Sequence, residues 1–336
     1  RAKVKIIFEE KEFFGDIRLK GDRKAHFEEK EKSSYKIELD RNQYILGIKK
    51  FSLQKPRLRN YVHEWIFHQM VADFNIIKIK YDFIKLYING ENKGLYVLEE
   101  GFGKELIERN ERRNGPIFGL NEDIYGLDDD PVFEIYNKNY WNRKENISIA
   151  RIASQKLRDF FNEELEANET FDLNKWAAYF AVIDMTANYH GALLKSVKFY
   201  YNPITGLFEP IPFDGHRYKP NFHKYNLNYD NKILVDFVLD LNKKNHAGLK
   251  WLKKFFFKND IPNKKFYEQY ISYLNKISSK NYIDKFLLKN NKKIKIINSH
   301  IYGDYFFYDN IDSYGAGIYY FLLDDFMHQA KNIQEK

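Results

Sequence analysis

The stretch KFYYNPITGLFEPIPFDGHR, residues 198–217, reads as two short strands joined by a turn and closed by an acid, Asp214, in front of Gly215. Phe199, Tyr200 and Tyr201 are strand formers, Asn202-Pro203 and Thr205-Gly206 are turn chemistry, and an extended apolar pattern resumes from Leu207 to Phe213. A carboxylate after an apolar run and before a glycine sits where the backbone turns sharply and offers an oxygen ligand to a cleft. A turn aspartate that bonds its own backbone gives the same pattern, and spacing alone leaves both readings open.

Upstream of this hairpin the chain divides in character. KVKIIF (3–8), EFFGDIRLKG (12–21), SSYKIEL (33–39) and KKFSLQ (49–54) are short, alternating and separated by charged or turn-like segments, the pattern of a mostly antiparallel sheet. One helix interrupts it, starting at Pro56, with Leu58, Tyr61, Val62, Trp65, Ile66, Gln69 and Ala72 on one face and Glu64 at the margin of that stripe. Two further strands, YDFIKLYI (81–88) and KGLYVLEE (93–100), join through Asn89-Gly90, a strong hairpin signal. Helical patterns take over at KELIERNERR (104–113), NISIARIASQKLRDFFNEELEA (146–167) and DLNKWAAYFAVIDMTANY (172–189). The last is apolar nearly all round, so it reads as a buried spine, with Asp172 as its cap. After about residue 230 amphipathic helical patterns dominate. The fold class is therefore α+β with two lobes: a β-rich lobe at 1–102 holding one helix, and a larger, mainly helical lobe at 103–336 that carries the 198–213 hairpin.

Composition narrows the function classes. The 336 residues are 44% hydrophobic and 18% aromatic, ample material for a core and unlike a disordered chain. The net charge of +8, from 55 basic and 47 acidic residues, is spread over Lys- and Asn-rich stretches and reads as solvated surface. Nucleic-acid binding is disfavoured, because the aromatics sit inside periodic apolar patterns where core packing is the default. Without cysteine there is no disulfide framework, thiolate metal site or thiol catalysis. No apolar run approaches membrane-spanning length, and no Walker, GxGxxG or HExxH motif occurs. The chain starts at Arg1, which reads as a fragment or a processed form.

Four features stand in the chain order of a phosphotransferase cleft. Lys36 sits mid-strand on the polar side of Tyr35, Ile37 and Leu39; Glu64 lies on the next helix; a polar loop at 188–196 follows the spine; and Asp214 closes the hairpin. Phosphoryl transfer needs charge neutralisation and positioning, so a lysine held by a glutamate grips phosphates while an aspartate binds the magnesium that bridges them. Taken singly, Lys36 and Glu64 read as ordinary exposed charges. Arg18, Lys20 or Arg23 in FFGDIRLKGDRKAHF are further candidates to lie over phosphates.

The strings LKGDRKAHFEEKEKSSYKIEL, GIKKFSLQKPRLRNYVHEW, YDFIKLYINGENKGLYVLEEGFGKELIE and FYYNPITGLFEPIPFDG resemble the spore-coat protein H (CotH) kinase family over about residues 10–220. The resemblance implies a protein-kinase-like fold that binds ATP with Mg2+ or Mn2+ and phosphorylates serine or threonine on proteins. By motif, Lys36 in SYKIEL matches the phosphate-gripping lysine and Asp214 in PIPFDG the metal-binding aspartate. Glu64 is one partner for the lysine; Glu99 and Glu100 in YVLEEGF are its rivals, on the segment that connects the lobes and meets an adenine ring. A cell-envelope or secreted location is favoured on the same ground, with a cytoplasmic one open.

One part of the pattern is missing. Family members expected to be active carry an aspartate and, five residues on, an asparagine in the loop before the hairpin, where NYHGALLKSVKFYY offers Gly191 and Ser196. His190 is a candidate substitute base, since an imidazole titrates near neutrality, and Ser196 retains a hydroxyl for the metal. Asp184, on the spine, is the other candidate; a carboxylate there requires a partner, structural or catalytic. The alternatives are thus a divergent kinase, or a pseudokinase or surface-binding module on the same scaffold.

Overall fold

The computed structural model describes residues 1–21, 32–121, 131–215, 232–239, 248–305 and 323–336. Six strands, β1 (Ala2–Phe8), β2 (Lys11–Leu19), β3 (Tyr35–Leu39), β4 (Lys50–Gln54), β5 (Tyr81–Ile88) and β6 (Glu91–Glu100), form one antiparallel sheet in the order β1-β2-β3-β4-β6-β5. Strand alternation sorts its two faces. Ile37, Leu39, Phe51, Leu53 and Leu98 bury together with Ile45 and Ile48, leaving the intervening polar positions on the opposite face. Asn89 and Gly90 join β5 to β6 with φ of 53° and 83°, the backbone a two-residue hairpin requires.

The single helix read from Pro56 to Ala72 is two pieces. A 3-10 turn spans Pro56–Arg59, the chain turns back at Asn60 and Tyr61, both with φ 51°, and the helix proper is Val62–Ala72. It is buried on nearly every side, not on one stripe, and Glu64 is fully enclosed where the sequence placed it at a margin. The reason is that this helix packs both against the six-stranded sheet and against the spine helix, Leu173–Thr186.

The spine is buried along its whole length and Asp172 caps it by accepting from the Lys175 amide at 3.2 Å. The abundant aromatics gather around it: Trp176 stacks on Phe199 at 5.5 Å and meets Phe171, Trp251 and Phe255 edge-on or tilted. Helices Lys264–Ser278 and Leu323–Gln334 cover its far side, and Lys280–Tyr305 runs on to touch β6. No helix of the described residues is long and apolar enough to cross a membrane.

The 198–213 hairpin folds as read: β9 (Lys198–Asn202) and β10 (Leu207–Ile211) pair antiparallel from Leu207 opposite Asn202 to Ile211 opposite Lys198. It belongs to a second sheet, ordered β10-β9-β7-β8, through β7 (Ile117–Leu120) and β8 (Phe133–Ile135). These two strands have no counterpart in the sequence reading. The helices at 104–113 and 146–167 end early, at Arg109 and Phe161.

Candidate functional site

Strand register builds one wall of a cleft. Arg18 lies opposite Lys36, Lys36 opposite Ser52, and Ser52 opposite Glu99, so a polar row crosses four strands on one face. Lys20 and Gln54, two residues along from Arg18 and Ser52, share that face. The Lys20 ammonium donates to Glu99 Oε2 and, at 2.9 Å, to Gln54 Oε1; Gln54 Nε2 donates to Glu99 Oε1 at 2.9 Å. The second sheet supplies the other wall with Leu120, Lys198 and Phe213, enclosing about 470 Å3. Gly101 and Phe102, where the chain leaves the first sheet, close one end.

The lysine with a glutamate partner is therefore Lys20 with Glu99, not Lys36 with Glu64. Lys36 lines the same cleft but is exposed and, among the described residues, in no ion pair. Desolvation first, and then the neighbouring charges of Arg18, Lys20 and Lys50, lower its pKa; burial lowers that of Lys20, against the attraction of Glu99. The cations on this wall thus repel one another, a field that an incoming anion relieves. Arg18 and Lys20 line the cleft; Arg23 lies outside the described residues.

Asp214 is delivered by unusual backbone. Its φ is 57°, and a side chain at Gly215 would put a Cβ 2.4 Å from the Phe67 ring, so only glycine lets the strand end approach the helix this closely. The Gly215 amide donates to Glu64 Oε1 at 3.2 Å, which makes Glu64 a positioning group for the Asp214 turn. Arg59 then joins the pieces. Its guanidinium pairs with Asp214 Oδ1, lies 3.4 Å from Glu64 Oε2 and 3.7 Å from Glu99 Oε1, and sits 5.2 Å over the Phe213 ring. The sequence reading did not single out Arg59. A basic residue three positions after Pro56, at the last turn before a helix buried on nearly every side, is the signal that marks it.

His190 and Ser196 are both here. His190 Nδ1 is 2.9 Å from the Asp214 carbonyl oxygen, 3.3 Å from Asp214 Oδ2 and 3.0 Å from Ser196 Oγ. A carbonyl only accepts, so Nδ1 carries the proton and Nε2 is the basic nitrogen of the neutral ring. Serine and aspartate meet the same ring nitrogen, which is not the opposed arrangement of a Ser-His-Asp hydrolase. Glu100 also lines the cleft, but its carboxylate and that of Asp184 are engaged by other partners. Glu100 Oε2 accepts from the Lys80 amide at 2.8 Å and from Arg109, and burial raises its pKa. Asp184 is fully buried, accepting from the Leu234 amide at 2.8 Å and from the Tyr270 hydroxyl, so it ties the spine to the C-terminal helices. Burial pushes its pKa well above the ordinary range, the environment of a structural carboxyl and not of a base open to substrate.

The family resemblance implies a divalent cation on Asp214 and Ser196. In this arrangement the residues do not fit one. Asp214 faces the Arg59 guanidinium, the Ser196 hydroxyl faces His190, and among the described residues no three His, Asp or Glu side chains are placed to share a metal.

Comparison with known proteins gives two findings. The model of the family described as "CotH kinase protein" matches residues 17–314. The inner spore coat protein H of Bacillus subtilis (strain 168) is 24% identical over 220 residues, covering 59% of this chain and 57% of that protein. The matched part thus spans little more than half the length of this relative.

Proposed function

Because the chain belongs to the family described as CotH kinase protein, we propose that it is a nucleotide-binding, kinase-like module that takes ATP in the cleft between its two sheets. The observation that carries this is the cleft itself. At about 470 Å3 it has the capacity of a small-molecule site, and its lining combines Arg18, Lys20, Lys36 and Lys198 with Gly101, Phe102 and Leu120 and with the carboxylates of Glu38 and Glu134. The basic side chains suit phosphates and the apolar ones a flat base. In this reading Glu99 and Gln54 orient Lys20, Glu64 holds the Asp214 turn, and Phe213 gives the cations a common floor.

A second reading, phosphate transfer to a serine or threonine hydroxyl of a protein, rests on His190. Its Nδ1–H is fixed by the Asp214 carbonyl, so Nε2 is the nitrogen that would take the acceptor's proton. The relative's name places it in a spore coat, and an envelope-associated role for this chain follows as part of the same proposal.

The experiment is a calorimetric titration of the chain with ATP and with adenosine, for the wild type and for Lys36→Ala. Lys36 is exposed, so its removal leaves folding intact. ATP is expected to bind at least about tenfold more tightly than adenosine, and Lys36→Ala to weaken ATP alone by severalfold. No saturable ATP binding at roughly millimolar concentration refutes the reading. Labelled-phosphate transfer that is lost in His190→Gln, with ATP affinity kept, would promote the second reading over the first.

A further inference from the structure

A cation stands beside the cleft, against Glu99 and Phe213 of its lining. Glu64 and Glu99 are 0% and 2% exposed, and with Asp214 they surround the Arg59 guanidinium, which is itself 8% exposed. Buried carboxylates require a neutralising partner, and Arg59 serves Glu64, shares Glu99 with Lys20 and also meets the half-buried Asp214. Arg59 is held to that task by its surroundings: the chain reverses directly after it through Asn60 and Tyr61 in left-handed backbone, and the Phe213 ring lies beneath it. Two further cations approach the same ring from other elements, Lys20 at 5.9 Å and Lys198 at 5.3 Å.

We propose that Arg59 is the resident cation of this cleft and that the chain binds the phosphates of a nucleotide without a divalent metal. The proposal rests on the nucleotide reading above. A guanidinium keeps its charge at every relevant pH and presents paired donors that match phosphate oxygens. It stands against Asp214 Oδ1, the oxygen a magnesium ion would need, so the carboxylate is neutralised before any ligand arrives. Lys20 and Lys198 complete a set of three positive charges drawn from the residue after β2, the Pro56–Arg59 turn and β9. An entering metal would have to displace a permanently charged group from three carboxylates, whereas an entering phosphate meets Lys20 and Lys198, which line the cleft beside Arg59.

The test compares ATP binding to the full chain by calorimetry in EDTA and in excess magnesium. The expected result is a Kd that agrees within about threefold between the two conditions. Binding that needs magnesium, weakened more than about tenfold in EDTA, overturns this inference and leaves the nucleotide reading standing. No binding in either condition overturns both. Arg59→Met is then expected to lose binding in EDTA by about tenfold or more and to recover it with magnesium, because the vacated carboxylates now attract the metal. Binding in EDTA as tight as wild type in that variant also overturns the inference. Removing Arg59 strands buried charge, so Arg59→Met combined with Asp214→Asn provides a variant with one carboxylate fewer; should neither fold, the wild-type comparison decides by itself.

Discussion

Replacing Glu99 by glutamine tests whether Lys20 is the lysine held in the cleft. Glu99 is 2% exposed and receives the Lys20 ammonium, the Gln54 amide and, at 3.7 Å, the Arg59 guanidinium. Glutamine keeps the shape and one acceptor but removes the charge from beneath two cations. Breaking a buried pair in this way costs about 3–5 kcal/mol, and the retained hydrogen bond places this case near 3. Unfolding entropies of about 2.1 cal/mol/K per residue give roughly 0.7 kcal/mol/K for 336 residues, so Tm falls by about 4 °C. The pH dependence is the sharper signature. Burial lowers the Lys20 pKa and Glu99 opposes that shift, so loss of Glu99 drives it lower. A lysine whose folded pKa is depressed leaves the unfolded chain holding more protons between the folded and unfolded values, and stability rises with pH across that window. The deficit of Glu99→Gln should therefore shrink as pH rises above neutrality toward 10.5, the ordinary lysine value, when followed by differential scanning fluorimetry. A deficit equal at about pH 7 and about pH 9.5, or none at about pH 7, refutes the pairing.

Two other substitutions probe the supports. Gly215→Ala drives a methyl group to within 2.4 Å of the Phe67 ring and is expected to cost about 1–3 kcal/mol in urea unfolding while weakening ATP binding through the displaced Asp214 turn. Adding Phe67→Leu should restore part of both, and an undiminished affinity in Gly215→Ala would show that the turn does not position the ligand. Asp184→Asn should leave ATP affinity unchanged, since Asp184 bonds to Leu234 and Tyr270. Because its folded pKa is raised, the wild-type carboxyl favours folding most below 3.8 and loses that contribution as pH rises through the folded value; the asparagine variant should flatten this slope in pH-dependent urea unfolding.

Much of the fold was legible because its signals are local. The Asn89-Gly90 turn, the alternation of SYKIEL and the hairpin at 198–213 are each decided by neighbours within a few residues, and all three fold accordingly. The spine was equally plain, since a helix apolar all round has no place but the core. What escaped is non-local. β7 is four residues long and contains Gly119, too short for alternation to register, yet it anchors β9. Chain order suggested Lys36 with Glu64, but contact across a sheet is set by register, and register places Lys36 between Arg18 and Ser52 while Lys20 reaches Glu99. Arg59 was hidden for the same reason: its partners come from a helix, a strand and a hairpin end that only tertiary packing unites.

The gap in the loop before the hairpin is likewise not a side chain that has simply been trimmed away. A Cβ on Gly191 would lie 3.3 Å from the Gly215 Cα and 3.4 Å from both the Phe67 ring and the Tyr179 hydroxyl, all in the closed interior beside the spine. The Tyr179 proton is already given to the Gly191 carbonyl at 2.7 Å, so it has none to offer a new carboxylate. An aspartate at this position would be a buried charge pressed between the Gly215 backbone, the Phe67 ring and the Tyr179 hydroxyl, at a cost of several kcal/mol. The residue that faces Asp214 is His190. Gly191→Asp is therefore expected to lower Tm and to give no phosphate transfer from labelled ATP, although it recreates the family pattern. Transfer appearing in Gly191→Asp with an unchanged Tm would show that the loop can turn this position into the cleft, and it would remove the case for His190 as the group beside the reacting phosphate.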